Sequence, residues 1–367
     1  MTDIRTINLA KILVNYSLEI KKGDRVAVLG TSLAEPLMLE LERYILRAGG
    51  HPELIARIPG SDYVQFTESS NEQLEYISPL FKLVIEEYEG LIRLFSTVNT
   101  RELTNVPAEK QGIRAKSMSE IMKRYHERSA SGDLRWVVSM FPTAALAQEA
   151  EMSLHEFEDF VYGATYADHE DPVKAWQQIH DQQQRLVEWL KGKQDIVVKG
   201  PDVDLKLSIQ DREFVNSDGK FNMPSGEIYT SPVEESAEGW IRFSYPAIQG
   251  GREVNGVELT FEGGHVVKAG AEKNNAFLQE MLAVDEGAKR LGEFAIGTNV
   301  GIDRFIGNIL FDEKLGGTIH LALGNGFAEI GGVNTSSIHW DMLCDMKDGG
   351  KIFVDGELFY DSGEFKI

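Results

Sequence analysis

The spacing of the apolar residues changes near residue 195, and this change limits the folds that the chain can adopt. Before it, short apolar runs at 25–29, 53–57, 91–95 and 136–140 alternate with stretches in which apolar residues recur at helical spacing. Strands and helices that alternate in this way are typical of a parallel sheet with helices on its faces. After it, apolar and polar residues alternate with a period of two, as at 204–209, which predicts a mostly antiparallel sheet.

The domain boundary is predicted at the end of a long amphipathic helix. The pattern at 171–192 predicts that helix, and Gly192 closes it. At roughly 150 residues per domain, a length of 367 residues allows about two domains. We predict an α/β protein with an N-terminal scaffold domain over 1–195, built on a parallel sheet flanked by helices. The C-terminal domain over 196–367 is predicted to be α+β with a mostly antiparallel sheet.

The charge balance excludes several classes of partner. The chain has 37 Lys and Arg against 58 Asp and Glu, a formal net charge of −21. A surface this negative repels phosphate backbones and anionic lipid head groups, so we expect no binding to nucleic acid or membranes. No apolar run approaches the roughly 18 residues of a membrane span, and the first residues do not resemble a signal peptide. With the single cysteine, Cys344, which permits no internal disulfide, these features predict a soluble, cytoplasmic protein.

A histidine and a carboxylate are predicted side by side on one strand of the C-terminal domain. His339 and Asp341 are two residues apart, so on a strand they share a face while Ile338, Trp340 and Met342 face the other way. An imidazole nitrogen and a carboxylate oxygen in register suit a hard or borderline divalent cation. The alternative is a structural His–Asp pair inside the sheet.

Three glutamates and a second histidine of the same domain extend this constellation. Glu227 follows a Pro-x-Gly turn that presents it at the start of a strand, and Glu293 opens a short apolar strand. Glu313 precedes the strand that carries His320. Each glutamate alone is typical of a solvated surface. Together with the His-x-Asp pair, these residues provide enough oxygen and nitrogen donors to surround two cations, so we place the metal site in this domain.

Several motifs, in their order and spacing, are similar to those of a known family. They are Asn-Met-Pro-Ser-Gly-Glu (222–227), Leu-Phe-Asp-Glu (310–313), His-Leu-Ala-Leu-Gly (320–324) and Gly-Val-Asn-Thr-Ser-Ser-Ile-His-Trp-Asp (332–341). In these motifs the chain resembles the metal-dependent aminopeptidases related to thermophilic aminopeptidase T and aminopeptidase S. The resemblance covers nearly the whole chain. It implies a metallo-aminopeptidase with two divalent metal ions that removes N-terminal residues from peptides, and usually a homodimer.

The resemblance also implies roles for individual residues. The positions that match the family's metal ligands are Glu227, Glu293, Glu313, His320, His339 and Asp341. By analogy, Glu293 bridges both ions, and Glu227 is the first candidate to carry a proton to the leaving amine, which makes these two the predicted catalytic residues. The segment between Glu313 and His320 is two residues longer here than in the family's pattern. The ions are expected to be zinc, cobalt, manganese or magnesium.

One position departs from the family's pattern. Seven residues after the strand histidine the family normally has a tyrosine, whereas this chain has Phe327. A phenyl ring cannot donate a hydrogen bond to an oxyanion, and the loss of one such donor typically costs ~10²–10³ in rate. Either Tyr229 or Tyr245 replaces that donor, or the second metal ion suffices, or peptide hydrolysis is not the main reaction.

Two alternative functions follow from this departure. Some relatives of the family are iron(II) dioxygenases that cleave dihydroxypyridine rings, and His320, His339 and Asp341 alone would form a two-histidine, one-carboxylate iron site. Such a site does not need the three glutamates as well. The other alternative is a non-catalytic, metal-binding relative. The peptidase remains the principal prediction.

Overall fold

The computed structural model describes residues 2–367, and these form two compact units. The first unit comprises the chain up to Trp176 together with Gly219–Pro224, and the second comprises Gln177–Asp218 and Ser225–Ile367. The chain first passes from one unit to the other inside a long helix. The domain boundary after residue 195 remains a prediction.

Twenty strands make up the sheets of the described chain. They are β1 (Arg25–Thr31), β2 (His51–Arg57), β3 (Gly90–Phe95), β4 (Arg135–Met140), β5 (Asp195–Gly200), β6 (Val203–Ser208), β7 (Val215–Ser217), β8 (Asn222–Met223), β9 (Glu227–Thr230), β10 (Glu238–Arg242), β11 (Ala247–Gln249), β12 (Arg252–Val254), β13 (Glu258–Glu262), β14 (His265–Gly270), β15 (Leu291–Gly297), β16 (Thr318–Gly324), β17 (His339–Asp345), β18 (Lys351–Val354), β19 (Glu357–Asp361) and β20 (Glu364–Phe365).

Most of the α-helices lie in the first half of the chain. They are α1 (Ile4–Ile12), α2 (Glu35–Ala48), α3 (Ser61–Glu68), α4 (Asn71–Glu75), α5 (Pro79–Glu87), α6 (Ala108–Ser117), α7 (Ser119–Ala130), α8 (Ala144–Glu149), α9 (Leu154–Ala164), α10 (Pro172–Leu190), α11 (Asn275–Leu282) and α12 (Ile309–Asp312). A π-helical segment, Leu13–Ser17, continues α1, and short 3₁₀ segments lie at Ser32–Ala34, Glu286–Lys289 and Ala328–Ile330.

A parallel sheet forms the centre of the first unit. Its strands lie in the order β2-β1-β3-β4-β8, and every neighbouring pair is parallel. The core joins Ala27 of β1 and Leu91 of β3 to Val84 of α5 and Ile121 of α7, all nearly or fully buried. The helices therefore cover the sheet as the alternating pattern predicts. This finding confirms the predicted α/β class.

The ends of two helices in this unit follow from their local sequence. Gly49 ends α2 in the left-handed conformation, with φ at 86°, which a glycine adopts without a steric penalty. At the start of α9, the Ser153 hydroxyl accepts from the Glu156 backbone N–H, and the Glu156 carboxylate accepts from the Ser153 backbone N–H. This capping box satisfies two backbone donors that the helix leaves unpaired.

Antiparallel sheets dominate the second unit. An eight-stranded sheet has the order β14-β13-β10-β6-β5-β18-β19-β20, and a five-stranded sheet has the order β17-β16-β15-β9-β7. Phe261, Phe294, Trp340 and Phe359 belong to the large apolar core of this unit, and each is at most 1% exposed. The antiparallel architecture predicted for the C-terminal half is therefore confirmed.

Within residues 2–367, no helix is long and apolar enough to cross a membrane.

Candidate metal centre

The predicted ligands on strands all lie on one face of the five-stranded sheet. The register pairs Glu293 of β15 with Ala322 of β16, and Ala322 with Asp341 of β17. His320 and His339 are each two residues from a member of this row, so they share its face. Ala322 is the central member, and its methyl group leaves space between the two carboxylates.

The opposite face of the same strands is the apolar core. Phe294, Leu321, Trp340 and Met342 occupy the alternate positions and are at most 1% exposed. Burial of these side chains fixes the register, because a shift by one residue would move the whole apolar set to the other face. The core therefore holds the polar face in place.

The turn before Glu227 places this carboxylate at the edge of the same face. Gly226 has φ at +115°, and a Cβ atom at this position would lie 2.7 Å from the Cβ of Asn299. Only glycine fits such a conformation and such a close approach. Glu227 then begins β9 opposite Gly297 of β15, and it is 4% exposed.

Glu293, His339 and Asp341 form the first group of potential ligands, here called the His339 group. Their ligand atoms lie within 4.8 Å of one another. His339 Nε2 lies 3.1 Å from Glu293 Oε2 and 3.3 Å from Asp341 Oδ1. His339 Nδ1 lies 2.8 Å from the backbone carbonyl oxygen of Asn325. A donor at Nδ1 orients the ring and leaves Nε2 for the metal, as in many metal sites.

The charges of the His339 group depend on one another. Burial, the largest single influence, disfavours the charged ring of His339, but Asp341 and Glu293 outweigh it and raise the pKa of His339 to about 11. Burial also disfavours the charged carboxylate of Glu293, but His320 and His339 outweigh it and lower the pKa of Glu293 to about 2. Without a metal ion, a proton on His339 therefore faces two carboxylates at neutral pH. A divalent cation would take the place of that proton.

Glu313, His320 and Asp341 form the second group, here called the His320 group, and its ligand atoms also lie within 4.8 Å of one another. His320 Nε2 lies 3.6 Å from Glu293 Oε1 and 3.7 Å from Glu227 Oε2. Burial lowers the pKa of His320, but Glu293 and Glu227 more than offset it, so the pKa is raised. Asp341 belongs to both groups, which links five of the predicted ligands, and Glu227 joins them through His320, so all six lie in one cluster.

Two buried carboxylate oxygens support a cation at this cluster. Glu227 Oε2 and Asp341 Oδ1 are buried without a hydrogen-bond donor. Buried carboxylate oxygens are costly unless they are paired, and they are the oxygen donors that hard and borderline cations prefer. The donor set of the His339 group, one imidazole and two carboxylates, therefore fits a divalent metal ion.

Lys314 also lies in the cluster, although the sequence analysis did not select it. Its side chain is fully buried, makes an ion pair with Glu313, and places Nζ 3.7 Å from Glu227 Oε1. Burial lowers the pKa of Lys314, and the surrounding carboxylates oppose this effect. Burial raises the pKa of Glu227, with Lys314 and His320 opposing. In the sequence, Lys314 directly follows a predicted ligand but lies in the charged run Asp312-Glu313-Lys314, and such a run gives no signal of burial.

The ring of Phe327 lies where the family's tyrosine is expected, between two residues of the site. Its centroid is 5.1 Å from that of Tyr229 and 5.4 Å from that of His339. Burial, then Glu293 and Glu227, raise the pKa of Tyr229, so its phenol stays protonated and can donate a hydrogen bond. Tyr245 Oη instead donates to Asp345 Oδ2 at 3.0 Å.

A cavity of about 240 Å³ adjoins the cluster at Asp341. Leu343 follows Asp341 on the same face of β17, and both line the cavity. Ile248, Phe305 and Ile309 form much of the remaining wall. The cavity is therefore largely apolar, with a carboxylate of the site in its wall.

A comparison with family models identifies the family. The model of the thermophilic metalloprotease family, M29, matches residues 2–365. The chain belongs to this family. Membership confirms the predicted resemblance and the predicted class of enzyme, a metal-dependent hydrolase. It also implies divalent metal ions, without fixing their number or identity.

Known relatives agree with this assignment. Aminopeptidase T of Thermus thermophilus is 29% identical over 356 residues, which span 88% of this chain and 84% of that protein. The solved structure of wild-type AmpT from Thermus thermophilus has a TM-score of 0.86 at 22% identity and covers 99% of both chains. That likeness confirms the fold.

The alternative reaction has weaker support. The solved 2,5-dihydroxypyridine dioxygenase from Pseudomonas putida KT2440 has a TM-score of 0.56 at 15% identity, and the match covers 98% of this chain and 96% of that one. A likeness at this identity shows a shared fold and nothing of the reaction.

Proposed function

We propose that this chain is a metal-dependent aminopeptidase that hydrolyses the N-terminal peptide bond of peptides. The observation that carries the proposal is the convergence of Glu227, Glu293, His320, His339 and Asp341 on one face of one sheet, in a chain of the M29 family. The name of the relative from Thermus thermophilus, aminopeptidase T, supports the restriction to N-terminal residues.

The surroundings of each site residue indicate its role. We propose Glu293, His339 and Asp341 as ligands of the first divalent ion, zinc, cobalt, manganese or magnesium, with Asn325 orienting His339. When bound, such an ion lowers the pKa of a water molecule and polarises the scissile carbonyl. The resemblance implies a second ion with Glu313 and His320 as additional ligands, and such an ion would require Lys314 to move away from Glu313.

Glu227 is the proposed proton carrier. Its burial raises its pKa, and a carboxyl group whose pKa is closer to neutrality transfers protons more effectively near pH 7. It lies on the same strand as Tyr229, two residues away and on the same face. We propose that Tyr229 donates the hydrogen bond that the family's tyrosine supplies elsewhere.

The cavity beside Asp341 is the proposed site for the side chain of the N-terminal residue. Leu343, Phe305 and Ile309 would contact that side chain, and apolar walls favour apolar side chains. The carboxylates next to this cavity suit the positive charge of a free α-amine. We therefore propose a preference for peptides with an apolar first residue.

The location and assembly of the protein remain proposals. We propose a cytoplasmic location, in keeping with the acidic composition, and a homodimer, in keeping with the resemblance. Light scattering behind a size-exclusion column measures the assembly directly. A mass near 41 kDa would contradict the dimer.

A peptide-processing assay tests the proposed function. A peptide with leucine at its free N-terminus and the same peptide with an acetylated N-terminus are incubated with the metal-loaded protein, and the products are identified by mass spectrometry. We expect stepwise loss of residues from the free peptide only. Cleavage of both peptides would contradict an aminopeptidase. Iron-dependent oxygen uptake with a dihydroxypyridine, and no peptide cleavage, would favour the dioxygenase instead.

A further inference from the structure

Lys314 is held in the centre by the backbone on both sides of it. Its N–H donates to the carbonyl of Phe311 at 3.0 Å, and its carbonyl accepts from the N–H of Asn299 at 3.1 Å. Phe311 and Leu315 are fully buried neighbours. The backbone therefore has little freedom to turn this side chain towards solvent.

The nitrogen of Lys314 lies among the carboxylates that a second metal ion would need. It makes an ion pair with Glu313, lies 3.7 Å from Glu227 Oε1, and is within electrostatic reach of Asp341 and Glu293. No other lysine or arginine in residues 2–367 makes an ion pair with a member of this cluster. A positively charged group in this position offsets the negative charge of the same carboxylates that a cation would bind.

A metal ion in the His320 group would have to compete with this side chain. It would need the Glu313 carboxylate, and Lys314 already binds that group. If Lys314 stayed, the ion would have to share the Glu313 carboxylate with a nitrogen that already lies between Glu313 and Glu227. If Lys314 left, its fully buried side chain would need another place in a closely packed interior. The His339 group does not meet this difficulty, because His339 lies between Glu293 and Asp341.

We propose that the side chain of Lys314 occupies the place of a second cation, so that the centre holds one metal ion per chain, in the His339 group. The proposal rests on the proposed metal-dependent function for the first ion. In this proposal the centre contains one metal ion and the Lys314 side chain, in place of the two ions that the resemblance implies. Glu313 is then the partner of Lys314 and not a metal ligand.

Metal stoichiometry tests this proposal without any substrate. The protein is stripped with a chelator, reloaded with Zn²⁺, separated from loosely bound metal by gel filtration, and analysed by mass spectrometry for zinc per chain. We expect one zinc ion in the wild type and two in Lys314→Ala, which opens the second group. Lys314→Arg keeps the charge and should hold one. Lys289→Ala, which removes an exposed lysine of the same unit, should also hold one.

A second variant keeps the test decisive if Lys314→Ala does not fold. Glu313→Gln should still hold one zinc ion, because Glu313 is not a ligand in this account. Two zinc ions in the wild type, one in Lys314→Ala, or none in Glu313→Gln would each overturn the proposal. The count does not depend on catalysis, so a protein with one zinc ion and no peptidase activity would contradict the proposed function while leaving this inference intact.

Discussion

The Nε2 atom of His339 lies 3.1 Å from Oε2 of Glu293. Both side chains lie on the face of the five-stranded sheet that also carries Asp341. The other ring nitrogen of His339 is fixed by the carbonyl oxygen of Asn325 at 2.8 Å. The ring is therefore positioned before any ion arrives. Preorganised ligands of this kind reduce the cost of metal binding.

Replacing His339 with alanine should abolish metal-dependent activity and leave the fold largely intact. The variant loses one ligand of the His339 group, and metal ions contribute several kcal/mol to stabilisation of the transition state, so we expect kcat/KM to fall by roughly 10³-fold or more. His155→Ala, which removes a histidine whose side chain is 82% exposed, should match the wild type. Circular dichroism checks the fold. Full activity in His339→Ala would contradict the assignment of this ligand.

Tyr229→Phe should lower kcat by roughly 10²–10³-fold with little change in KM, because it removes the proposed donor to the oxyanion. Tyr245→Phe is the matched control, since its hydroxyl already donates to Asp345, and it should change kcat little. Adding Phe327→Tyr to Tyr229→Phe should recover part of the lost rate, because it restores a phenol beside His339. Equal rates for Tyr229→Phe and the wild type would mean that another group stabilises the oxyanion.

Metal binding should release at least one proton at neutral pH. The pKa of His339 is raised to about 11, so an ion must displace its proton. Below that pH, the apparent affinity for the metal should rise about tenfold for each unit by which the pH increases. Calorimetric titration with Zn²⁺ in two buffers of different ionisation enthalpy gives the number of protons. His339→Ala should reduce this number by about one. An affinity independent of pH between 6 and 8 would argue against this exchange.

Acid should destabilise the metal-free protein through Glu293. Its pKa is lowered from 4.5 to about 2 in the folded chain, so its contribution to stability is present above pH 4.5 and is lost as the pH falls towards 2. Glu293→Gln should therefore be less stable than the wild type at pH 7, by about 3 kcal/mol for a broken buried pair. The difference should shrink towards pH 2 in chelator-containing urea titrations. The exposed Glu286→Gln serves as the control, and a constant difference across this range would contradict the assignment.

Leu343→Ala should reduce kcat/KM for leucine p-nitroanilide by roughly 10–100-fold, because lost apolar contacts in a side-chain pocket cost about 1–3 kcal/mol each. The rate with alanine p-nitroanilide should change much less, because its methyl group does not reach the removed atoms. The ratio of the two substrates cancels any general loss of activity. An unchanged ratio would place the substrate side chain elsewhere.

The sequence predicts well which residues lie on each face of β17 in the five-stranded antiparallel sheet. The alternation around His339 and Asp341 separates Trp340 and Met342 from the polar residues, and the structure buries both in the core. Parallel and antiparallel halves were also predictable, because helical spacing and a period of two are properties of local sequence.

The distances across strands could not be predicted in the same way. Glu293 and Asp341 meet over Ala322 only because three strands pair in one register, and the pairing of β15 with β16 shifts between Leu291 and Glu293. A bulge of this kind depends on tertiary packing. The position of Lys314 also depends on it, since nothing in the local pattern directs an isolated lysine into a buried centre.

Hydrolysis of leucine p-nitroanilide by chelator-stripped protein, before and after metal is restored, tests the central claim most directly. We expect no turnover in the stripped protein, recovery with Zn²⁺, Co²⁺ or Mn²⁺, and no turnover of the N-acetylated anilide under any condition. Asp341→Ala, which removes the carboxylate shared by both ligand groups, should not recover with any of these metals. Undiminished hydrolysis by the stripped wild type, or recovery of Asp341→Ala to the wild-type rate, would contradict a metal-dependent aminopeptidase centred on these residues.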